Sequence, residues 1–218
     1  MYSIVVPTMW RLATQFVAFL DILSNCPLVG EIIIIDNDNS KRPELNNPKI
    51  KLFDFNRNIY VNPAWNFGVN ASQYEKICIL NDDITFDVKL FDILYNKVES
   101  RYGVFGLYPG DKNFNQEESK TNKIEIIPQT ERRCMGFGCL MFLNKHNWCN
   151  IPNQLKIFYG DDFIFDYNEY IIKKPNFIIK NLDFYTPYSA TSNDKTITNG
   201  FMERERDYYA TLSFTRSF

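Results

Sequence analysis

Three acidic clusters in this chain have the residue types and positions to do chemistry. Asn81-Asp82-Asp83 closes the run Lys76-Ile77-Cys78-Ile79-Leu80, Asp36 closes Glu31-Ile32-Ile33-Ile34-Ile35, and Gly160-Asp161-Asp162 follows Tyr159. Ile77 to Leu80 and Ile32 to Ile35 are short and uninterruptedly apolar, which is the pattern of strands buried on both faces of a sheet. Acids at the C-terminal tips of such strands lie in the crevice where open α/β sheets hold their ligands. Carboxylates there attract a hard divalent cation, and Mg²⁺ or Mn²⁺ held by one or two of them takes its other ligands from phosphate oxygens. A further carboxylate pair can accept the proton of an attacking hydroxyl. Plainer readings stand beside these: a polar turn whose Asp87 caps the next helix, and two acids that only open a helix at its positive dipole end. A single acid at a strand end means little. Two successive buried strands that both end in acids indicate a site.

The elements that must position these groups follow in order. Tyr2 to Pro7 reads as a first strand, and Leu12, Phe16, Phe19, Leu20 and Leu23 recur at helical spacing up to about Ser24. After the strand ending at Asp36 comes a polar loop to Pro48, then a third strand from Ile50 to Phe55. Asn62-Pro63 supplies a cap and a first-turn proline for a helix through Ser72. The strand leading to Asp82 comes next, and then a helix over Val88 to Val98. Strands separated by helical patterns predict βαβ units and a largely parallel sheet.

The second half differs. Val104 to Tyr108 reads as a strand, Lys123 to Pro128 alternates as if to begin a hairpin, and Gly136-Phe137-Gly138-Cys139 forms a flexible turn before the strand Leu140 to Leu143. The second acidic pair precedes a helix, Phe177 to Ile179 reads as a late strand, and Met202 to Leu212 as a last helix. The polar stretch from Thr186 to Gly200 reads as a lid. With 218 residues and 45% hydrophobic content, the chain is expected to form one domain with a full core.

Composition narrows the partners. A formal net charge of −2, with no basic stripe, argues against a nucleic-acid backbone. Aromatics at 16% suit stacking on rings or sugars, although core packing accounts for most of them. Five cysteines without a CxxC pair and a single histidine argue for reduced thiols and against zinc. No apolar run is long enough to span a membrane, and strand-like sequence from Tyr2 leaves no room for a signal peptide, so a cytoplasmic location is expected. His146 reads as a surface residue, and Trp10 and Trp65, in helical patterns, as core more than as stacking platforms.

Tyr159-Gly160-Asp161-Asp162 spells the acidic hairpin of RNA-dependent RNA polymerases. The small size, near-neutral charge and opening βαβ units argue against that reading. The ordered set of motifs instead resembles the GT-A glycosyltransferases, in particular the family-2-like inverting enzymes that use nucleotide-sugar donors. The resemblance spans Ser3 to Phe165. Ser3 to Thr8 looks like that family's opening strand, and Glu31 to Asn37 like its second strand, whose terminal Asp contacts the nucleotide base. Arg57-Asn58 and Trp65 to Ala71 are similar to the stretch leading into the metal motif, and Asn81-Asp82-Asp83 sits where Asp-x-Asp belongs. Gly136 to Cys139 resembles the acceptor-side turn, and Gly160-Asp161-Asp162 the motif that supplies the base.

The resemblance implies a mixed, mostly parallel α/β sheet of GT-A type flanked by helices. A nucleotide-binding half would cover about residues 1–100, and an acceptor-binding half about 101–218. It implies a metal-assisted, inverting hexosyl or deoxyhexosyl transfer from a nucleoside-diphosphate sugar, UDP by default, to a hydroxyl of a glycan or glycoprotein. Pro7, Thr8, Asp36, Arg57, Asn66, Asp82 and Gly138 would line the nucleotide-sugar site. Asp83 would hold Mn²⁺ or Mg²⁺, with Asp162 as base and Asp161 orienting hydroxyls. Two departures stand out: Asn81 replaces the first acid of Asp-x-Asp, and the family's late metal-binding histidine is missing, leaving Asp194 as a substitute. The alternative is a non-catalytic nucleotide-sugar or glycan-binding module of the same fold. A sugar-phosphate nucleotidyltransferase is disfavoured because no glycine-rich loop follows Pro7. The Asn-, Ile- and Lys-rich wording suits an AT-rich genome, as in large DNA viruses and some bacteria, and the chain could be one domain of a longer protein.

Overall fold

The computed structural model describes residues 1–108, 123–129, 135–186, 195–212 and 214, with the side chains of 195–199 excepted. The strands are β1 (Tyr2–Thr8), β2 (Val29–Asp36), β3 (Ile50–Asp54), β4 (Lys76–Leu80), β5 (Thr85–Phe86), β6 (Phe105–Leu107), β7 (Glu125–Gln129), β8 (Leu140–Asn144), β9 (Asn176–Lys180) and β10 (Phe184–Tyr185). The helices are α1 (Ala13–Asn25), α2 (Val61–Ala71), α3 (Leu90–Tyr95), α4 (Gly160–Asp166), which continues as a π-helical turn over Tyr167–Ile171, and α5 (Lys195–Thr211). Eight strands form one sheet in the order β3-β2-β1-β4-β8-β6-β9-β7, while β10 and β5 pair separately. β1 runs parallel to β2 and β4, β2 to β3, and β6 to β9; β8 is antiparallel to β4 and β6, and β7 to β9. The sheet is therefore mixed, with β8 and β7 reversed among strands that otherwise share one direction.

Alternation along the central strands sorts their side chains onto two buried faces. Ile4, Val6, Ile32, Ile34, Cys78 and Leu80 pack with Phe16, Phe19 and Leu20 of α1 and Leu90, Phe91 and Leu94 of α3. Val5, Ile33, Ile35, Ile77 and Ile79 pack with Trp65 and Val69 of α2 and Phe163 to Phe165 of α4. Helices on both faces are why these strands read as unbroken apolar runs. Burial of each large apolar side chain stabilises the fold by about 1.5–3 kcal/mol.

Several boundaries differ from the sequence expectation, each for a physical reason. β1 continues past Pro7 to Thr8, because pairing with β4 ends at Val5–Ile79 and the missing proline N–H falls where only β2 flanks the strand. Asn62 does not cap α2, whose cap position is Tyr60, without a side-chain bond. The Asn62 backbone N–H donates instead to Lys156 O (3.0 Å) and its amide to Phe158 O (3.0 Å). α3 is only six residues long, although Asp87 does accept from the Lys89 N–H (2.9 Å) at its approach. Among the described residues β7 pairs not with a hairpin neighbour but with β9, about fifty residues on, with Ile126 opposite Ile179. Helix α5 begins at Lys195, so helix replaces the last part of the expected lid; residues 187–194, Asp194 among them, lie outside the described residues. Trp10 lies before α1, buried, and Trp65 is buried in α2. His146 is exposed beside the equally exposed Glu75. Cys26 and Cys78 are buried and free. Among the described residues no helix is long and apolar enough to cross a membrane.

Candidate active site

Pairing alone gathers the acidic tips. Thr8 ends β1 directly opposite Asp36 at the end of β2, and the parallel β1–β4 pairing brings Asn81-Asp82-Asp83 out at the same edge. Because β8 is antiparallel to β4, with Leu140 opposite Leu80, the start of β8 and the 3-10 turn Phe137–Cys139 before it also reach that edge.

Hydrogen bonds join these pieces in two groups. In the first, Thr8 Oγ1 donates to Asp82 Oδ2 (2.6 Å) and accepts from the Trp10 N–H (2.9 Å). The Trp10 indole N–H donates to Asp36 Oδ1 (2.8 Å), which also accepts from the Asp38 N–H (3.0 Å), while Arg42 Nε stands 3.3 Å from Asp36 Oδ2. Asp36 is 1% exposed, so the carboxylate is held from three sides. In the second group, the Asn81 N–H donates to Cys139 O (3.0 Å) and the Gly138 N–H to Asp161 Oδ2 (3.1 Å). A Cβ on Gly138 would lie 2.8 Å from that same oxygen, so only glycine lets turn and carboxylate meet this closely. Asp161 and Asp162 sit in the first turn of α4, which places Tyr159-Gly160-Asp161-Asp162 at a helix start and not in a polymerase hairpin.

Burial pushes the Asp82 carboxyl above its ordinary range, and the Thr8 bond, the Met9 and Asp82 backbone N–H groups and the Arg11 charge offset this only in part. A part-buried carboxylate under that tension is one a cation would stabilise. Among the described residues no group of three or more His, Cys, Asp and Glu is gathered closely enough to hold a metal alone. Asp82 and Asp83 offer hard oxygen donors suited to Mg²⁺ or Mn²⁺, which would complete its shell from phosphate and water.

The other candidate positions divide. Pro7 is buried within β1. Arg57 is exposed, two residues before Ile59, whose N–H donates to Asn37 Oδ1 (2.9 Å). Asn66 is not gathered with the rest. Both ends of its amide are used by the Ile151 backbone, donating to its carbonyl (2.8 Å) and accepting from its N–H (2.8 Å), so it ties α2 to the loop before α4.

Four residues had no reading as site residues in the sequence: Arg11 beside Asp82, Arg42 on Asp36, and Asn62 and Glu205 on the loop before α4. A helical pattern begins near Arg11 and Arg42 lies in a polar loop, so neither type carried a signal, and Asn62 and Glu205 act across long sequence separations. Trp10 was weighed for stacking, but its indole N–H is spent on Asp36. Backbone strain marks the same region: Trp10, Tyr60 and Tyr159 are bulky residues with φ of 55°, 69° and 59°.

No protein-family model matches the chain, and no curated protein matches it in sequence. Solved structures do. S. aureus TarS (residues 1–349) superposes with a TM-score of 0.60 at 12% identity, over 99% of this chain and 74% of that one. The same fragment in complex with UDP gives 0.55 at 13% identity, over 86% of this chain and 60% of that one. GalNAc-T7, solved with UDP, GalNAc and Mn²⁺, gives 0.64 at 14% identity, over 86% of this chain but only 44% of its own. Identities this low speak for architecture, and the architecture is clear: the chain has the GT-A-like mixed α/β fold of these glycosyltransferases.

Proposed function

We propose that the protein is a nucleotide-sugar glycosyltransferase, moving a sugar from a UDP-sugar to a hydroxyl of a glycan or glycoprotein with inversion at the anomeric carbon. The observation that carries this reading is the single sheet edge at which Thr8, Asp82 and Asp83 stand beside the Gly138–Asp161 contact. One acidic group is available for a diphosphate and its cation, and a separate one for an acceptor. The solved neighbours, TarS in complex with UDP and GalNAc-T7 with UDP, GalNAc and Mn²⁺, support the choice of nucleotide and metal.

In this reading residues 1–100 hold the donor and 101–218 the acceptor. A divalent cation bound at Asp83 would neutralise charge growing on the departing diphosphate. Asp82, held by Thr8, flanks that position, and Arg57 and Arg11 add positive charge at the rim. Asp162 takes the acceptor proton as its oxygen bonds to the anomeric carbon; the bond from that carbon to the diphosphate oxygen breaks, and UDP departs. Asp161, fixed by the Gly138 N–H, orients hydroxyls.

Thermal unfolding with UDP, GDP and dTDP, each with and without Mn²⁺, tests the donor site. A ligand that binds only the folded state adds about 2.7 kcal/mol at one hundred times its dissociation constant. UDP should raise the midpoint, and only with the metal. No shift with any nucleotide would overturn the reading.

A further inference from the structure

We propose that helix α5 is a clasp for the acidic start of α4, with Glu205 as a positioning residue for Asp161 and Asp162. Glu205 is 2% exposed although it lies on a helix of low mean hydropathy among exposed charged neighbours. Its carboxylate accepts from three successive backbone N–H groups: Lys156 (2.8 Å to Oε1), Ile157 (3.1 Å to Oε2) and Phe158 (2.7 Å to Oε2). Such a row of N–H groups is a concave anion site, filled here by the chain's own carboxylate. The carbonyls of the same loop are held from the other side, with Lys156 O and Phe158 O both bonded by Asn62.

Flanking contacts repeat at helical spacing along one face of α5, at positions i, i+4 and i+8. The Phe201 ring packs on Tyr60 and the Tyr209 ring stacks on Tyr159, each at 5.2 Å between centroids, with Glu205 between them. Tyr60 and Tyr159 are the strained positive-φ residues that immediately precede α2 and α4. The Tyr209 hydroxyl donates to Asp166 at the far end of α4. Bulky residues keep a positive φ only when their surroundings over-determine them. α5 supplies those surroundings, and two residues beyond Tyr159 lies Asp161, whose carboxylate must meet Gly138. The clasp therefore sets where the base presents itself. Its kinetic consequence rests on the glycosyltransferase reading; its structural consequence does not.

The test compares wild type with Glu205→Gln, which keeps size but loses charge and one acceptor, and with Glu203→Gln, exposed on the same helix, as control. Backbone hydrogen exchange should accelerate at least about tenfold at 156–158 and spread into 160–163 in Glu205→Gln alone. A cooperative melt with the UDP·Mn²⁺ shift retained shows that the variant is folded. UDP release from the UDP-sugar that wild type turns over fastest should then fall about ten- to a hundredfold in kcat, with donor KM within about twofold, as expected of a misplaced catalytic group. Unchanged exchange, or accelerated exchange with kcat within twofold, overturns the clasp. If wild type neither binds UDP·Mn²⁺ nor turns over any donor, the glycosyltransferase reading fails instead. The exchange pattern then decides the clasp alone, for it if acceleration reaches 160–163 and against it if not.

Discussion

Asp83 and Asp162 should separate binding from chemistry, because they lie in different acidic groups brought to one edge by different elements. Asp83→Asn removes a hard anionic donor without changing shape, and should weaken Mn²⁺-dependent UDP binding at least about tenfold in titration calorimetry. Asp162→Asn should leave that binding within about twofold and cut UDP release from a UDP-sugar by about 10²- to 10⁴-fold. Normal turnover by Asp162→Asn would move the base elsewhere. At this scale the residue types were informative and their partners were not. Asp36 stood out as a strand-end acid, but nothing in Trp10 or Arg42 announced that both converge on it. Asn66 was grouped with the donor site through the resemblance alone; its amide serves Ile151.

Among the elements, α2 is seated on the sheet by a close approach at Gly68. A Cβ there would stand 2.2 Å from Val5 Cγ1 on β1, and that isoleucine- and valine-lined face has no room to give. Gly68→Ala should push the helix from the strand at a cost of about 1–3 kcal/mol, an overpacking penalty that outweighs the helix propensity gained. For a chain of this length that is a fall of about 2–12 °C in Tm, read by calorimetry or circular dichroism. A rise in Tm would show that the interface relaxes freely. Periodicity identified the core elements because each buries a continuous face. It misjudged β7, whose alternation is genuine but whose partner is β9 and not a hairpin neighbour.

For the molecule as a whole, Glu31 links stability to pH. It is 2% exposed on β2 and bonded by Ser3 of β1, Lys51 of β3 and the Gln73 N–H beyond α2. Burial by itself would raise its pKa; the Lys51 and Ser3 bonds and the Gln73 N–H outweigh that and hold it below its ordinary value of 4.5. A carboxyl depressed on folding contributes stability that is present above the ordinary value and is lost as pH falls through the folded one. Wild type should therefore lose stability below about pH 4.5, and Glu31→Gln should flatten that acid limb while costing about 1–3 kcal/mol at neutral pH. A melting series from about pH 7 to pH 3 checks both, and an unchanged acid limb would show that Glu31 is not the linked group.

By itself the sequence determined the parts whose signal is local. Apolar runs specified buried strands, helical spacing specified the helices between them, and acids at run ends marked the edge, because burial and periodicity act over a few residues. Only the tertiary structure decided what faces what. That β8 turns back along β4 to bring Gly138 to Asp161, that Trp10 holds Asp36, and that Glu205 fastens the loop before α4 are contacts between residues about 23 to 68 apart. No short-range pattern encodes such pairs. They form because the packed sheet leaves each buried polar group one place to find its partner.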